Sequence, residues 1–188
     1  MSSAIEESVK TLLVQGQLPD AVELILQTYG PELRGYLRGT FNDPDEGDDI
    51  FQELAIAIWR RLPDFEFRST LRNWCYAIAH RRVAKRLARY SRRNRVRFDS
   101  EEQARLVARS MSSFVERQKR ADALGAAAAR LDPAEREVLI LRVERKLSFG
   151  EIAAVLELTN EASARKRYQR AKEHLREFLS QSGTILES

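Results

Sequence analysis

A single cysteine, Cys75, stands among 188 residues, which excludes an internal disulfide and any zinc site built on clustered thiolates. Eight glycines and five prolines are too few for a protein of sheets and turns. No continuous apolar stretch reaches the length of a membrane span, and the acidic start lacks the basic-then-apolar pattern of a secretory leader. A cytoplasmic protein without membrane insertion is expected. The two histidines, His80 and His174, lie in basic segments without a triad-like setting, and no glycine-rich phosphate loop occurs. Catalytic residues, a metal and a cofactor are therefore not expected, and the chain does not read as an enzyme.

What is present favours helices. Hydrophobic residues make up 43% and charged residues 32% of the chain, with Ala, Leu, Arg and Glu prominent, all strong helix formers. The net charge of +4 conceals a division. Met1 to Arg60 carries eleven acids against four bases, a net of −7, whereas His80 to Phe98 carries nine bases and no acid. A single-sign block of that density marks a polyanion-facing surface or a solvated arm. One electronegative surface suits a protein partner; one electropositive surface suits nucleic acid.

Apolar periodicity sets out the helices. Ile5, Val9 and Leu12/Leu13 form a short amphipathic helix, interrupted by Gly16 and Pro19. Asp20 is expected to cap a second helix that Gly30-Pro31 breaks or bends, and Asn42 to Gly47 reads as a turn. A third helix is predicted from about Asp48 to Leu62, with Ile50, Leu54, Ala57 and Ile58 inward and Asp49, Gln52, Glu53, Ile56 and Arg60 on another face. After a Pro63–Arg68 loop, a fourth helix starts near Ser69/Thr70. It begins apolar at Leu71, Trp74/Cys75 and Ile78 and ends basic at Arg82, Lys85/Arg86 and Arg89. Tyr90 to Ser113 reads as a linker. In the last third, Asp132-Pro133-Ala134-Glu135 and Ser148-Phe149-Gly150-Glu151 are capping-box patterns. Thr159 is expected to cap a last helix whose core stripe is Ala164, Tyr168, Ala171 and Leu175, so that this segment matches a helix-turn-helix.

Each feature also has a plainer reading. Ser163, Arg165, Lys166, Gln169 and Arg170 could read bases from the major groove, or could be an ordinary solvated face. Phe65 and Phe67 beside the basic stripe suit unpaired bases, while the spacing of Trp74 and Cys75 suits core packing. Asp48, Asp49, Gln52 and Glu53 are a docking face for a basic partner or merely a solubilising one. For Arg167 the favoured role is a phosphate contact or a salt bridge, with Glu151 as a candidate partner.

Together these segments resemble the extracytoplasmic-function group of bacterial RNA polymerase sigma factors. The resemblance rests on Asp48 through Glu53 followed by Trp59, on Phe67 through Trp74 with Ile78-Ala79-His80, and on Leu131-Asp132-Pro133, Leu147 through Ala153, and Arg165 through Arg176. It implies an all-α fold of two small domains, with residues 19–92 as a region 2-like bundle and 119–182 as a region 4-like helix-turn-helix. An N-terminal extension (1–18), a flexible linker (93–118) and a tail (183–188) complete the division. It further implies that Asp48, Asp49, Gln52, Glu53 and Ile56 grip the clamp helices of the largest subunit of core RNA polymerase. Phe65, Phe67, Arg68, Arg82, Lys85, Arg86 and Arg89 would serve the minus-10 element, and Ser163, Arg165, Lys166, Gln169 and Arg170 the minus-35 element. Promoter DNA, the flap of the second-largest subunit and an anti-sigma factor are the other implied partners. Cys75 and Arg81 stand where the family usually has Leu and Asn, and Glu157 replaces the usual turn Gly. The rival readings are a helix-turn-helix regulator that never engages polymerase, which leaves the acidic face unexplained, and a helical enzyme, for which no site is visible.

Overall fold

The computed structural model describes residues 2–41, 43–93 and 124–181. They form α1 (Ser2–Val14), α2 (Leu18–Phe41), α3 (Pro44–Arg61), a 3-10 turn at Leu62–Asp64 and α4 (Leu71–Arg93). There follow α5, helical over 124–130, α6 (Pro133–Leu139) running into a π-helical turn (Ile140–Glu144), α7 (Phe149–Val155) and α8 (Glu161–Gln181). No strand occurs among the described residues. The expected linker falls almost wholly outside them, as does the tail.

The first four helices pack around Ile25, Leu33, Leu37, Ile50, Leu54 and Ile58, all fully buried. Val9 of α1 joins this core, so the first residues pack on the bundle. Of the expected break or bend at Gly30-Pro31 there is no break: α2 is one helix across it. Proline removes one backbone bond, but the buried Tyr29, Leu33, Tyr36 and Leu37 hold both sides of the gap in the core. Asp20 lies in the first turn of α2 rather than at its cap. The predicted turn before α3 is shorter than expected, because Asp43 is the N-cap, accepting from the Asp45 and Glu46 amides, with Pro44 opening the helix.

The last three helices form the expected helix-turn-helix. Asp132 caps α6 through the Glu135 amide, but Glu135 does not close a reciprocal box; its carboxylate is 2.6 Å from His174 Nδ1 and ties α6 to α8. Ser148 and Glu151 do form the full capping box of α7. Asn160, not Thr159, caps α8, its Oδ1 accepting from the Ser163 amide at 2.9 Å. The turn between α7 and α8 holds Glu157 at φ 52°, a left-handed conformation that costs a non-glycine residue stability.

The two halves share one continuous apolar core, in which Val138, Ile140 and Leu141 join the side chains of α2 and α4. Within the first half, α2 and α3 approach so closely that a Cβ on Gly47 would lie 2.6 Å from the Arg38 Cα. Gly47→Ala should therefore lower unfolding stability by up to about 2 kcal/mol, an overpacking cost of about 1–3 kcal/mol less the roughly 1 kcal/mol that Ala gains in a helix. Chemical denaturation followed by helical signal measures it; unchanged or raised stability would contradict the close approach.

Candidate polymerase and nucleic-acid interfaces

The acidic face of α3 is less uniform than its sequence. Asp48 is held by Arg38, with Nε–Oδ1 at 2.8 Å and Nη2–Oδ2 at 2.5 Å, and Arg34 is 3.7 Å away. The Arg38 hydrogen bonds hold the Asp48 carboxyl below its ordinary range. Glu53 meets Arg86 at 3.1 Å and Arg82 at 3.6 Å. Asp49 and Gln52 point to solvent, beside Ile56 at 53% and Trp59 at 43% exposure. Ile56 and Trp59 thus leave two large apolar side chains on the outer face of α3. Trp59, one helical turn on from Ile56, shares its outer face, a placement that the spacing of the two residues along the chain already carries.

The basic stripe of α4 is likewise divided. Arg86, with only 20% of its side chain exposed, bridges Glu46 at 2.8 Å and Glu53 at 3.1 Å, bracing α4 against α3. Arg82 is partly committed to Glu53, whereas Lys85 and Arg89 are exposed. In the preceding loop Phe65 lies 4.6 Å from both Phe67 and Trp74, ring centre to ring centre and tilted at 46° and 31°, so the three aromatics form one half-buried cluster. Phe65 and Phe67 are both half-buried. Phe67 adopts φ 55°, and Arg68 is exposed and paired with Glu66 at 2.5 Å.

Helix α1 braces this loop in a way that sequence reading missed. Glu6 Oε1 accepts from the Leu71 amide at 2.9 Å, satisfying a first-turn donor of α4 from 65 residues away. The Lys10 ammonium lies 5.0 Å from the Phe67 ring centre. Thr70 supplies the local cap, accepting from the Asn73 amide. A cap from a distant helix leaves no local pattern to find.

On α8, Arg165, Lys166, Gln169 and Arg170 are all exposed, opposite the buried Ala164 and Ala171. Arg165 also pairs with Glu161 at 2.8 Å and lies 5.0 Å from the Phe149 ring centre. Ser163 is half-buried, its hydroxyl donating to Asn160 Oδ1 at 3.1 Å, so it belongs to the cap more than to the outer face. Glu151 is used by Ser148 and by Asn73 Nδ2 at 3.2 Å rather than by Arg167. The Ser148 amide, above all, depresses its carboxyl. Burial pushes the Cys75 thiol well up, in keeping with a packing role. Among the described residues no helix is long and apolar enough to cross a membrane, and no cluster of side chains could hold a metal.

Comparison with known proteins agrees with this layout. The sigma-70 region 2 family model matches residues 25–93, and the sigma-70 region 4 model matches residues 121–175. The RNA polymerase sigma factor YlaC of Bacillus subtilis (strain 168) is 25% identical over 148 residues, covering 73% of this chain and 80% of its own. Among solved structures, CnrH in complex with the cytosolic domain of CnrY is similar at a TM-score of 0.63 and 23% identity, over 94% of this chain and 97% of that one. The sigma factor RpoE in complex with the anti-sigma factor NepR from Bartonella quintana is similar at 0.62 and 19%, over 82% and 94%. Regions 2 and 4 in this order, each falling on one helical half, make the chain a member of the extracytoplasmic-function sigma factors, which bind core RNA polymerase and direct promoter-specific initiation of transcription.

Proposed function

We propose that the exposed face of α3, formed by Asp49, Gln52, Ile56 and Trp59, is the part of this sigma factor that seats on the clamp helices of core polymerase. The supporting observation is the sorting of its carboxylates. Asp48 and Glu53 are tied to arginines of α2 and α4, while Asp49 stands free beside two exposed apolar side chains. That mixture of apolar centre and charged edge is what protein interfaces use. Residues 19–92, with α1 packed on them, act as the polymerase-binding and minus-10 domain, and residues 119–182 as the minus-35 domain. The factor works in the cytoplasm and performs no bond chemistry of its own. An anti-sigma factor is its expected regulator, since both similar solved structures are complexes, one of them expressly with an anti-sigma factor.

Within the first domain, Lys85 and Arg89 attract phosphates, Arg82 assists, and the Phe65–Phe67–Trp74 cluster presents aromatic surface to an unpaired base. Arg86 acts indirectly by bracing α4. Glu6 and Lys10 of α1 position the loop, holding Phe67 in its strained backbone conformation. On α8, Arg165, Lys166, Gln169 and Arg170 meet the major groove, Arg and Lys matching guanine acceptors and Gln matching adenine.

The double variant Asp49→Arg, Ile56→Asp should weaken core-enzyme binding by about tenfold or more, the scale of losing an interface anchor, with helical content unchanged. Equilibrium binding to purified core enzyme measures this, and wild-type affinity would contradict the α3 assignment. Gln169→Ala or Arg170→Ala should lower transcription from a cognate promoter roughly 5- to 150-fold, from a loss of about 1–3 kcal/mol, while leaving core binding intact. Equal losses in both assays would make α8 structural. Glu6→Ala should reduce permanganate reactivity of thymines in the minus-10 region several-fold at saturating core enzyme and promoter, and Glu6→Gln, which can still accept from Leu71, should recover part of it. A Gln variant no better than Ala would refute the positioning role.

A further inference from the structure

The four exposed side chains that α8 turns to the major groove are not held alike. Lys166, Gln169 and Arg170 have no ion pair or ring contact among the described residues. Arg165 has two, from two different helices. Its Nη2 lies 2.8 Å from Glu161 Oε1, one turn earlier and in the first turn of α8. Its guanidinium carbon lies 5.0 Å from the ring centre of Phe149, the first residue of α7. That ring is itself fixed. Tyr168 is 5.5 Å away, centre to centre, and the Arg142 guanidinium 4.6 Å, with Arg142 Nη1 donating to the Leu147 carbonyl at 2.7 Å. The Ser148–Glu151 capping box anchors the turn of α7 from which Phe149 projects. Glu161 meanwhile puts a carboxylate, 55% exposed, on the same end of α8 as Arg165 and Lys166. Facing DNA, an acid costs phosphate attraction unless it has another effect.

We infer that Glu161 and Phe149 are positioning residues for Arg165, holding its guanidinium in the orientation for a two-bonded contact with one guanine of the minus-35 element. The inference rests on the proposed role of α8 in the major groove. Arginine reads guanine through two parallel N–H donors to O6 and N7, so the plane of the guanidinium matters as much as its place. An unheld arginine must be ordered on binding, and that lost rotamer freedom is subtracted from recognition. Glu161 engages one of the five N–H donors of a guanidinium, and enough remain for both guanine acceptors. Arg165 also lies within the first two turns of α8, the end of a recognition helix that reaches base edges. The acid acts in the same sense a second time. Beside Glu161, Arg165 attracts an arbitrary phosphate less than Lys166 or Arg170 does, so its contribution falls on the correct base.

Holoenzyme assembled from the full chain and core enzyme, transcribing a promoter library randomised over the minus-35 element, reads the preference at each base pair. Arg165→Ala should flatten the preference at one base pair by roughly 5- to 150-fold, the scale of a bidentate contact. Glu161→Ala and Phe149→Leu should each lower it at that same base pair by about two- to fivefold, the scale of an exposed ion pair or cation–π contact, and leave the other positions unchanged. Glu161→Gln, which keeps an acceptor, should recover part of the loss. Adding Glu161→Ala to Arg165→Ala should change nothing further. Binding of Glu161→Ala holoenzyme to an unrelated duplex should be no weaker than wild type, because a negative charge has gone; a merely structural role would weaken selective and unselective binding together. Wild-type preferences in either folded single variant, loss at a different base pair, or a further loss in the double variant would overturn the positioning role, and the Glu161 series decides alone if Phe149→Leu misfolds. Should Arg165→Ala itself leave every preference as in wild type, the assignment of Arg165 to the minus-35 element falls, and the positioning role with it.

Discussion

Glu137 is a carboxylate with 2% exposure at the junction of two helical bundles, and its burial depends on groups from the other bundle. A buried charge without partners costs several kcal/mol, and one with well-placed donors much less. Tyr36 on α2 and His80 on α4 supply those partners, and neither belongs to the half that carries Glu137. Burial, then the Glu137 charge, pushes the Tyr36 hydroxyl well above its ordinary range, so Tyr36 remains a donor. The Tyr36 ring in turn meets Tyr76 edge to face at 5.3 Å, which joins the polar cluster to the core of the first bundle. Apolar burial makes the halves adhere; this cluster dictates the register in which they do so.

A second constraint is the shared use of arginine. Arg38, Arg82 and Arg86 neutralise carboxylates of α3, and in doing so hold α3 between α2 and α4. Exposed pairs such as Arg38–Asp48 contribute little individually, since solvent screens them. Their larger effect is selective: they withdraw some charges from α3 and leave others presented. The surface offered to a partner is therefore narrower, and more apolar at its centre, than the linear density of acids implies.

The fold was largely legible. Periodicity and capping patterns located α1 to α4 and the helices of the helix-turn-helix, though not the 3-10 turn at Leu62–Asp64 or the π-helical turn at Ile140–Glu144; the capping residues Asp132 and Ser148 were recognisable because a cap is satisfied within four residues of chain. The errors share a cause. Pro31 does not interrupt α2, since buried side chains on both sides override a local preference. Glu135 and Glu151 turn to His174 and Asn73, partners remote in sequence, in place of the reciprocal cap expected of the first and the Arg167 bridge considered for the second. Glu6 reaches Leu71 across 65 residues with no periodicity to announce it.

What the amino-acid order alone determined was short-range: which stretches become helices, which stripe of each is apolar, where each sign of charge concentrates, and the helix-turn-helix signature. These follow from backbone propensity and from spacings of three and four residues, which any reader of the chain can measure. Only the tertiary structure decided which charges cancel and which remain. Arg86 looks equivalent to Arg89 along α4, yet packing turns the first inward against Glu46 and Glu53 and leaves the second in water. Side-chain chemistry is written in the sequence, but whether a charge faces solvent or a partner depends on how helices distant along the chain come together.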